Sequence, residues 1–229
     1  MFKNKTFLSI IPARGGSKRL PRKNVLDLCG KPLISWTIEA ALYSKYLDEV
    51  VVTSDDSEIL GIANNMKVRS IERPPHLASD TASTFDAVKH TIDNIDSYEY
   101  IVLLQPTSPL RNATHIDKAI ELLARKDADA VISVSNISHN PAWSNTLDES
   151  LSMKNFINKE FLKKRSQDLE KYYKLNGAIY ICKTKKLLEE KSFFLRDNIF
   201  AFIMSAISSI DIDKKEDFEF ANLYLSKKI

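Results

Sequence analysis

An alternation of segment types constrains this chain most. Five short apolar runs have the composition of buried strands: FLSIIP (7–12), EVVVTS (49–54), VRSIE (68–72), YIVLLQ (100–105) and AVISVS (130–135). Between them lie segments whose apolar residues recur at helical spacing: 33–44, 57–65, a face carrying Phe85, Val88, Ile92 and Ile95, and 114–125 with Ile116, Ile120 and Leu123 aligned. Runs apolar on both faces must be covered on both sides, and helical connections between them keep the strands parallel. The expected fold is therefore α/β, a doubly wound, mostly parallel sheet. With 229 residues, 44% of them hydrophobic, residues 1–229 are expected to form one domain.

After residue 135 the rhythm fails. Residues 136–174 carry many charges, as in KKRSQDLEKYYK, but also Trp143, Phe156, Phe161, Tyr172 and Tyr173, too many large side chains for a disordered linker. This stretch reads as an inserted arm that needs another surface, and a partner subunit in a homodimer is the expected one. Strand patterns resume at NGAIYI (176–181), IFAFIM (199–204) and SSIDID (208–213), with a short helix at 184–191 between the first two. A closing helix starts at Lys214, with Asp213 as its expected N-cap and Pro32 near the first position of the 33–44 helix. Gly15, Gly16, Gly30 and Gly177 are expected in turns beside strands.

The chemistry points to IIPARGGSKRLPRKN (10–24). Arg14, Lys18, Arg19, Arg22 and Lys23 follow a buried-type strand with no acid among them, and Gly15 and Gly16 would let the backbone approach a ligand. A solvated basic loop is the plain alternative, but the position, at the end of a strand, is where open α/β sheets bind ligands. Three other stretches expected at strand ends carry polar groups: 73–84, 105–111 and 210–213. In the last, Asp211 and Asp213 would share one face of a strand, and two such oxygen donors suit magnesium beside phosphate oxygens. A basic cradle with a carboxylate pair specifies phosphoryl or nucleotidyl transfer. GxxxxGK[ST], GxGxxG and GxSxG do not occur, which argues against a P-loop kinase, hydride transfer on a dinucleotide fold and a serine hydrolase.

Other classes are disfavoured. A net charge of +3 is too small for a general polyanion binder, and the basic loop lacks the aromatics an RNA-binding surface would stack on. His76, His90, His115 and His139 have no metal-ligand spacing and read as surface or structural. Cys29 and Cys182 have no CxxC partner and read as reduced thiols of a cytoplasmic protein. The opening apolar run ends at Pro12, too short for a membrane span, and no membrane partner is expected.

Taken together, IIPARGGSKRLPRKN, RPPHLASDTAS, LLQPTSPLR, RSQDLEKYYKLNGAIYI and SIDID closely resemble the acylneuraminate cytidylyltransferases, also called CMP-sialic acid synthetases, over nearly the whole chain. The resemblance implies the Rossmann-like nucleotidyltransferase version of the fold. It also implies transfer of CMP from CTP to the anomeric hydroxyl of a nine-carbon 2-keto sugar acid, with pyrophosphate released and magnesium required. Arg14, Lys18 and Lys23 would hold the triphosphate with Asn24 nearby, and Arg73, Ala82 and Thr84 would line the cytosine pocket. Gln105, Tyr180, Phe193 and Phe194 would frame the sugar acid. Arg165, on the arm, would reach its carboxylate or a phosphate. Asp211 and Asp213 would hold magnesium, and with Arg14 and Lys23 they form the catalytic set.

One departure concerns the sugar. Family members that use ordinary sialic acid often carry a Lys a few residues after H-x-P, whereas HNPAWSN places Trp143 there. A related acid, legionaminic or pseudaminic, is the alternative substrate, with deoxy-octulosonic acid as a further one. An alternative of another class is a catalytically silent nucleotide-binding subunit.

Overall fold

In a computed structural model, which describes residues 2–79 and 81–227, the apolar runs form strands of a single sheet. Asp80 of the RPPHLASDTAS stretch lies outside the described residues. The strands are β1 (Phe7–Pro12), β2 (Glu49–Ser54), β3 (Arg69–Glu72), β4 (Tyr100–Leu103), β5 (Ala130–Asn136), β6 (Tyr173–Lys183) and β7 (Ile199–Met204). Their order is β3-β2-β1-β4-β6-β5-β7, and β6 alone runs against its neighbours. The helices are α1 (Leu33–Leu42), α2 (Ser57–Asn65), α3 (Thr84–Ile92), α4 (Ala113–Lys126), α5 (Thr184–Glu190) and α6 (Lys215–Ser226).

Strand alternation divides the core between two faces. Phe7 and Ile11 of β1 pack with Ile34 and Ile38 of α1 and Ile116 and Ile120 of α4. Leu8 and Ile10 face the other way, toward Val88 of α3 and Leu187 of α5. The sheet is thus covered on both sides, as its doubly apolar strands require. Helix starts are capped where the chain leaves the carboxyl edge: Asp56 accepts from Glu58 N and Ile59 N, and Ser83 with Asp86 forms a capping box before α3. From β1 the chain steps to β2 and β3 on one side and then returns to β4 on the other. The crevice at this reversal is where open α/β sheets take ligands.

Several local expectations change. SSIDID is not a strand: Ile207–Ser209 forms a 3-10 turn, and extended chain follows, with Ile212 N donating to Thr107 O at 2.8 Å. The buried Ile212 packs on Leu28, Leu33 and Ala221, so the apolar residues that suggested strand alternation anchor a loop instead. Asp213 does not cap α6. Lys214 holds that position, and Asp217 reaches back to accept from Asp213 N and Lys214 N. Pro32, as expected, sits at the start of α1, as its N-cap directly before Leu33. Gly177 lies inside β6, at φ 73°, where the β5–β6 register shifts, and not in a turn. β6 is longer than NGAIYI because its pairing with β5 extends to Asn136 opposite Tyr173.

Residues 137–172 connect β5 to β6 through short 3-10 turns and loops. Ile137 N donates to Tyr172 O at the base, and Asn140 Nδ2 donates to Glu170 O at 2.8 Å. Beyond these ties the segment exposes Leu147, Leu151, Met153 and Leu162. Among the described residues no helix is long and apolar enough to cross a membrane.

The two cysteines differ sharply in setting. Cys182 is fully buried in β6, and burial pushes its thiol up to about 12, whereas Cys29 is partly exposed. A thiol held protonated is unreactive toward alkylation. Iodoacetamide at neutral pH is therefore expected to label Cys29 alone in the native protein and both thiols after denaturation, read by mass spectrometry. Native labelling of Cys182 at the rate of Cys29 would contradict this burial.

Candidate active site

At the carboxyl edge of β1 and β4 lies a cleft of about 720 Å³. Its walls come from distant parts of the chain. Arg14, Lys18, Arg19, Lys23 and Asn24 come from the basic loop, Arg73 and Ala82 from the segment between β3 and α3, Thr84 from the start of α3, Gln105 and Thr107 from the chain after β4, Gly177 and Tyr180 from β6, and Asp211 and Asp213 from the chain before α6. The four stretches picked out as carrying polar groups at strand ends thus converge, even though the last is a loop.

The basic loop and the acidic loop touch directly. Lys23 Nζ donates to Ile212 O at 2.6 Å and lies 3.4 Å from Asp213 Oδ1. Arg19 Nη1 donates to Asp213 Oδ2 at 2.8 Å. Ion pairs as exposed as Arg19–Asp213 add little stability, so their weight here is geometric: they hold cations and carboxylates in one cleft. Asp211 is open to the cleft yet hemmed in by its walls. Desolvation raises its pKa and the neighbouring Asp213 raises it further, while a hydrogen bond from Thr107 and the charge of Lys23 oppose the rise.

Two buried groups face this site with unused capacity. Asn24 Nδ2 donates to Arg14 O at 3.0 Å, which fixes the amide, but its Oδ1 is buried without a partner. Arg73, 6% exposed, donates to Ala13 O at 3.2 Å and lies 3.8 Å from Asp55 Oδ1, while its Nε has no partner. Burial lowers its pKa, the nearby Arg14 charge lowers it further, and Asp55 opposes. Unsatisfied polar groups of this kind in a cleft wall are suited to a polar ligand.

The structure revises the reading of the loop itself. A Cβ at Gly15 would lie 2.5 Å from Asp56 Oδ2, and Gly15 N donates to Asp55 Oδ1 at 3.2 Å. Gly15 thus permits a close approach of the loop to the acidic start of α2. Gly16 has open space around it. Arg22, in the left-handed conformation, pairs with Asp56 and Glu58 and is not part of the cleft wall. Because Asp56 is held by both its cap bonds and Arg22, it cannot swing away from a new methyl group. Gly15→Ala is therefore expected to lose about 1–3 kcal/mol, measured as a fall in Tm, and an unchanged Tm would refute the clamp.

Three proposed residues stand apart from the cleft wall. Phe193 is buried beneath Tyr180, with ring centroids 5.8 Å apart, and Phe194 lies 6.2 Å from the same ring but is half exposed. Arg165 is exposed at the start of the Ser166–Asp168 turn in the 137–172 segment. Trp143, in the same segment, has its indole Nε1 buried without a partner.

Other residues escaped notice. Ser79 O accepts from Arg14 Nη1 at 3.4 Å, and Asp55 and Asp56 brace the loop. Arg111, within LLQPTSPLR, is fully buried and donates to Thr37 Oγ1 at 2.8 Å, with its pKa pushed down to about 9 by burial. Nothing in the sequence marks Arg111 as buried.

Magnesium binding can be tested against the donor set. Among the described residues no group of three or more His, Cys, Asp or Glu side chains forms a ready-made cage. Magnesium does not need one, since it takes one or two carboxylates and completes its shell with water and phosphate oxygens. Asp211 and Asp213, in a cleft lined by cations that suit phosphates, fit that requirement.

Comparison with known proteins agrees with this geometry. The family model described as cytidylyltransferase matches residues 8–227. The chain is 39% identical over 222 residues to an N-acylneuraminate cytidylyltransferase of Escherichia coli O18:K1:H7, covering 96% of this chain and 52% of that protein. It thus spans about half the length of these relatives. It is 39% identical over 222 residues to the CMP-N,N'-diacetyllegionaminic acid synthase of Legionella pneumophila, covering 92% of each. It is 36% identical over 221 residues to a pseudaminic acid cytidylyltransferase of Campylobacter jejuni, covering 94% of each. A solved structure of CMP:2-keto-3-deoxy-manno-octonic acid synthetase complexed with CTP shares the fold, with a TM-score of 0.75 at 20% identity over 98% of this chain and 100% of that one. The cleft, the motif order and the matched length lead to one conclusion: the chain belongs to the cytidylyltransferase family, in the group of the acylneuraminate and related sugar-acid enzymes.

Proposed function

We propose that this protein transfers CMP from CTP to the anomeric hydroxyl of a nine-carbon 2-keto sugar acid and releases pyrophosphate. The observation that carries the proposal is the direct contact of Lys23 and Arg19 with Asp213 across the cleft. It gives a single site both the cations a triphosphate needs and the carboxylates a divalent ion needs.

In this reading Arg14, Lys18 and Lys23 bind the phosphates, while Arg73, Ala82 and Thr84 border the cytosine and Asn24 offers its unpartnered Oδ1. Gln105 and Tyr180 orient the sugar acid. The anomeric oxygen attacks the α-phosphorus in line, the bond from that phosphorus to the bridging oxygen breaks, and pyrophosphate leaves with the electron pair. The hydroxyl proton passes to solvent or to an aspartate of the pair. Asp211 and Asp213 would hold magnesium, which when bound would neutralise triphosphate charge and make the anomeric hydroxyl more acidic.

A homodimer belongs to the same proposal. Arg165 and the half-exposed Phe194 lie off the cleft wall, and the 137–172 segment exposes Leu147, Leu151, Met153 and Leu162. A second copy would cover this apolar surface and bring such residues to a neighbouring cleft. Free thiols and the use of CTP fit a cytoplasmic reaction.

The sugar is tested by comparing kcat/KM for N-acetylneuraminic, legionaminic, pseudaminic and deoxy-octulosonic acids with CTP. A clear preference for one of the nine-carbon acids is expected. Equal efficiency with deoxy-octulosonate would overturn the nine-carbon assignment. The relatives include enzymes named for each of the three nine-carbon acids at 36–39% identity, so the panel, and not similarity, decides among them.

A further inference from the structure

We infer that Asn176 is a positioning residue that sets Asp211 in place without touching the substrate; the inference rests on the proposed role of Asp211. Between the pairs Ile132–Tyr180 and Val134–Leu175, β5 contributes one residue, Ser133, and β6 contributes four, Asn176 to Ile179. The ladder is therefore broken at the cleft end of β6. Side chains repair it. Ser133 Oγ accepts from Ile179 N at 2.8 Å and lies 2.6 Å from Asn176 Oδ1, to which it donates. Asn176 Oδ1 also accepts from Ala178 N at 3.1 Å.

The other end of the amide reaches the acidic loop. Asn176 Nδ2 donates to Ser209 Oγ at 2.9 Å and approaches Met204 Sδ at 3.4 Å, while Ser209 Oγ donates to Ser205 O at 2.7 Å. Ser209 ends the 3-10 turn two residues before Asp211. One side chain thus links β5, the bulge of β6 and the turn that delivers the carboxylate. Beside it, Gly177 holds φ 73°, and a Cβ there would lie 3.9 Å from Asp211 Oδ2. Asn176 is 4% exposed, and both ends of its amide are engaged within the protein, so it is not placed to address a ligand.

Indirect supports of metal-binding carboxylates typically change metal affinity or activity by about 10- to 100-fold when removed. The test uses Asn176→Ala and Ser209→Ala, which cut the same hydrogen bond from opposite sides, with CTP as the probe. Calorimetric Kd values for CTP are measured with and without magnesium, alongside Tm and steady-state kinetics. In both variants the tightening of CTP binding by magnesium is expected to shrink by about 10-fold or more. The metal-free Kd should stay near wild type while the KM for CTP in the presence of magnesium rises and kcat falls, and the double variant should be no worse than Asn176→Ala. Intact magnesium enhancement in both variants would overturn the inference. So would a Ser209→Ala protein that loses Tm and metal-free CTP affinity together, which would mark the network as packing only. If the wild-type protein itself fails to bind CTP, the proposed function fails, and that result is separate from either variant outcome.

Discussion

Asp211→Ala is expected to reduce kcat for pyrophosphate release by about a thousandfold while leaving CTP binding partly intact. The residue sits where the basic and acidic walls of the cleft meet. Its carboxylate receives a hydrogen bond from Thr107 and feels both the Lys23 cation and the Asp213 anion. Removing it leaves Asp213, already paired with Arg19 and near Lys23, as the remaining carboxylate of the pair. The cations proposed to bind phosphate are untouched, so the loss should fall on the chemical step more than on nucleotide affinity. Asp211→Asn keeps the shape and removes the charge, and it should be nearly as impaired. Near-normal turnover in either variant would remove Asp211 from the metal site.

Lys23→Ala should lower kcat/KM by about 100- to 1,000-fold. The Lys23 side chain is only 15% exposed, and its Nζ donates to Ile212 O and lies against Asp213. It therefore has two roles: it presents charge to the cleft, and it ties the loop after β1 to the chain before α6. Lys23→Arg retains the charge but replaces a compact ammonium with a larger planar fork of different geometry. Partial recovery is expected, chiefly in the KM for CTP. Full activity in Lys23→Ala would show that the exposed cations alone bind the triphosphate.

The sheet was legible because its strands are apolar on both faces, a pattern that few other folds accommodate. FLSIIP and EVVVTS became β1 and β2 at their expected bounds. The antiparallel direction of β6 was not legible, since strand direction depends on which elements pair and not on the strand's own residues. SSIDID misled for a related reason: Ile210 and Ile212 alternate with polar residues as in a strand, but Ile212 is buried against α6 and the start of α1, not within the sheet.

The site was legible as chemistry and less so as geometry. Cations after β1 and carboxylates before α6 meet, as charge type and strand-end position suggested. What sequence could not show is how the loop is braced. Asp55 and Asp56 lie outside the basic stretch in sequence, and only the fold brings Asp55 to Gly15 N and Asp56 to Arg22. Asn176 likewise read as part of a strand motif, because a side chain that replaces ladder hydrogen bonds leaves no periodic signature.

The most direct measurement is pyrophosphate release from CTP with the sugar acid and magnesium each present or omitted. Release that requires all three components, with a CMP-sugar formed in equal amount, is the predicted result. Release without the sugar acid, or CTP binding with no release under any of these combinations, would contradict a nucleotidyl transfer site; the second outcome would leave a nucleotide-binding subunit on the same fold.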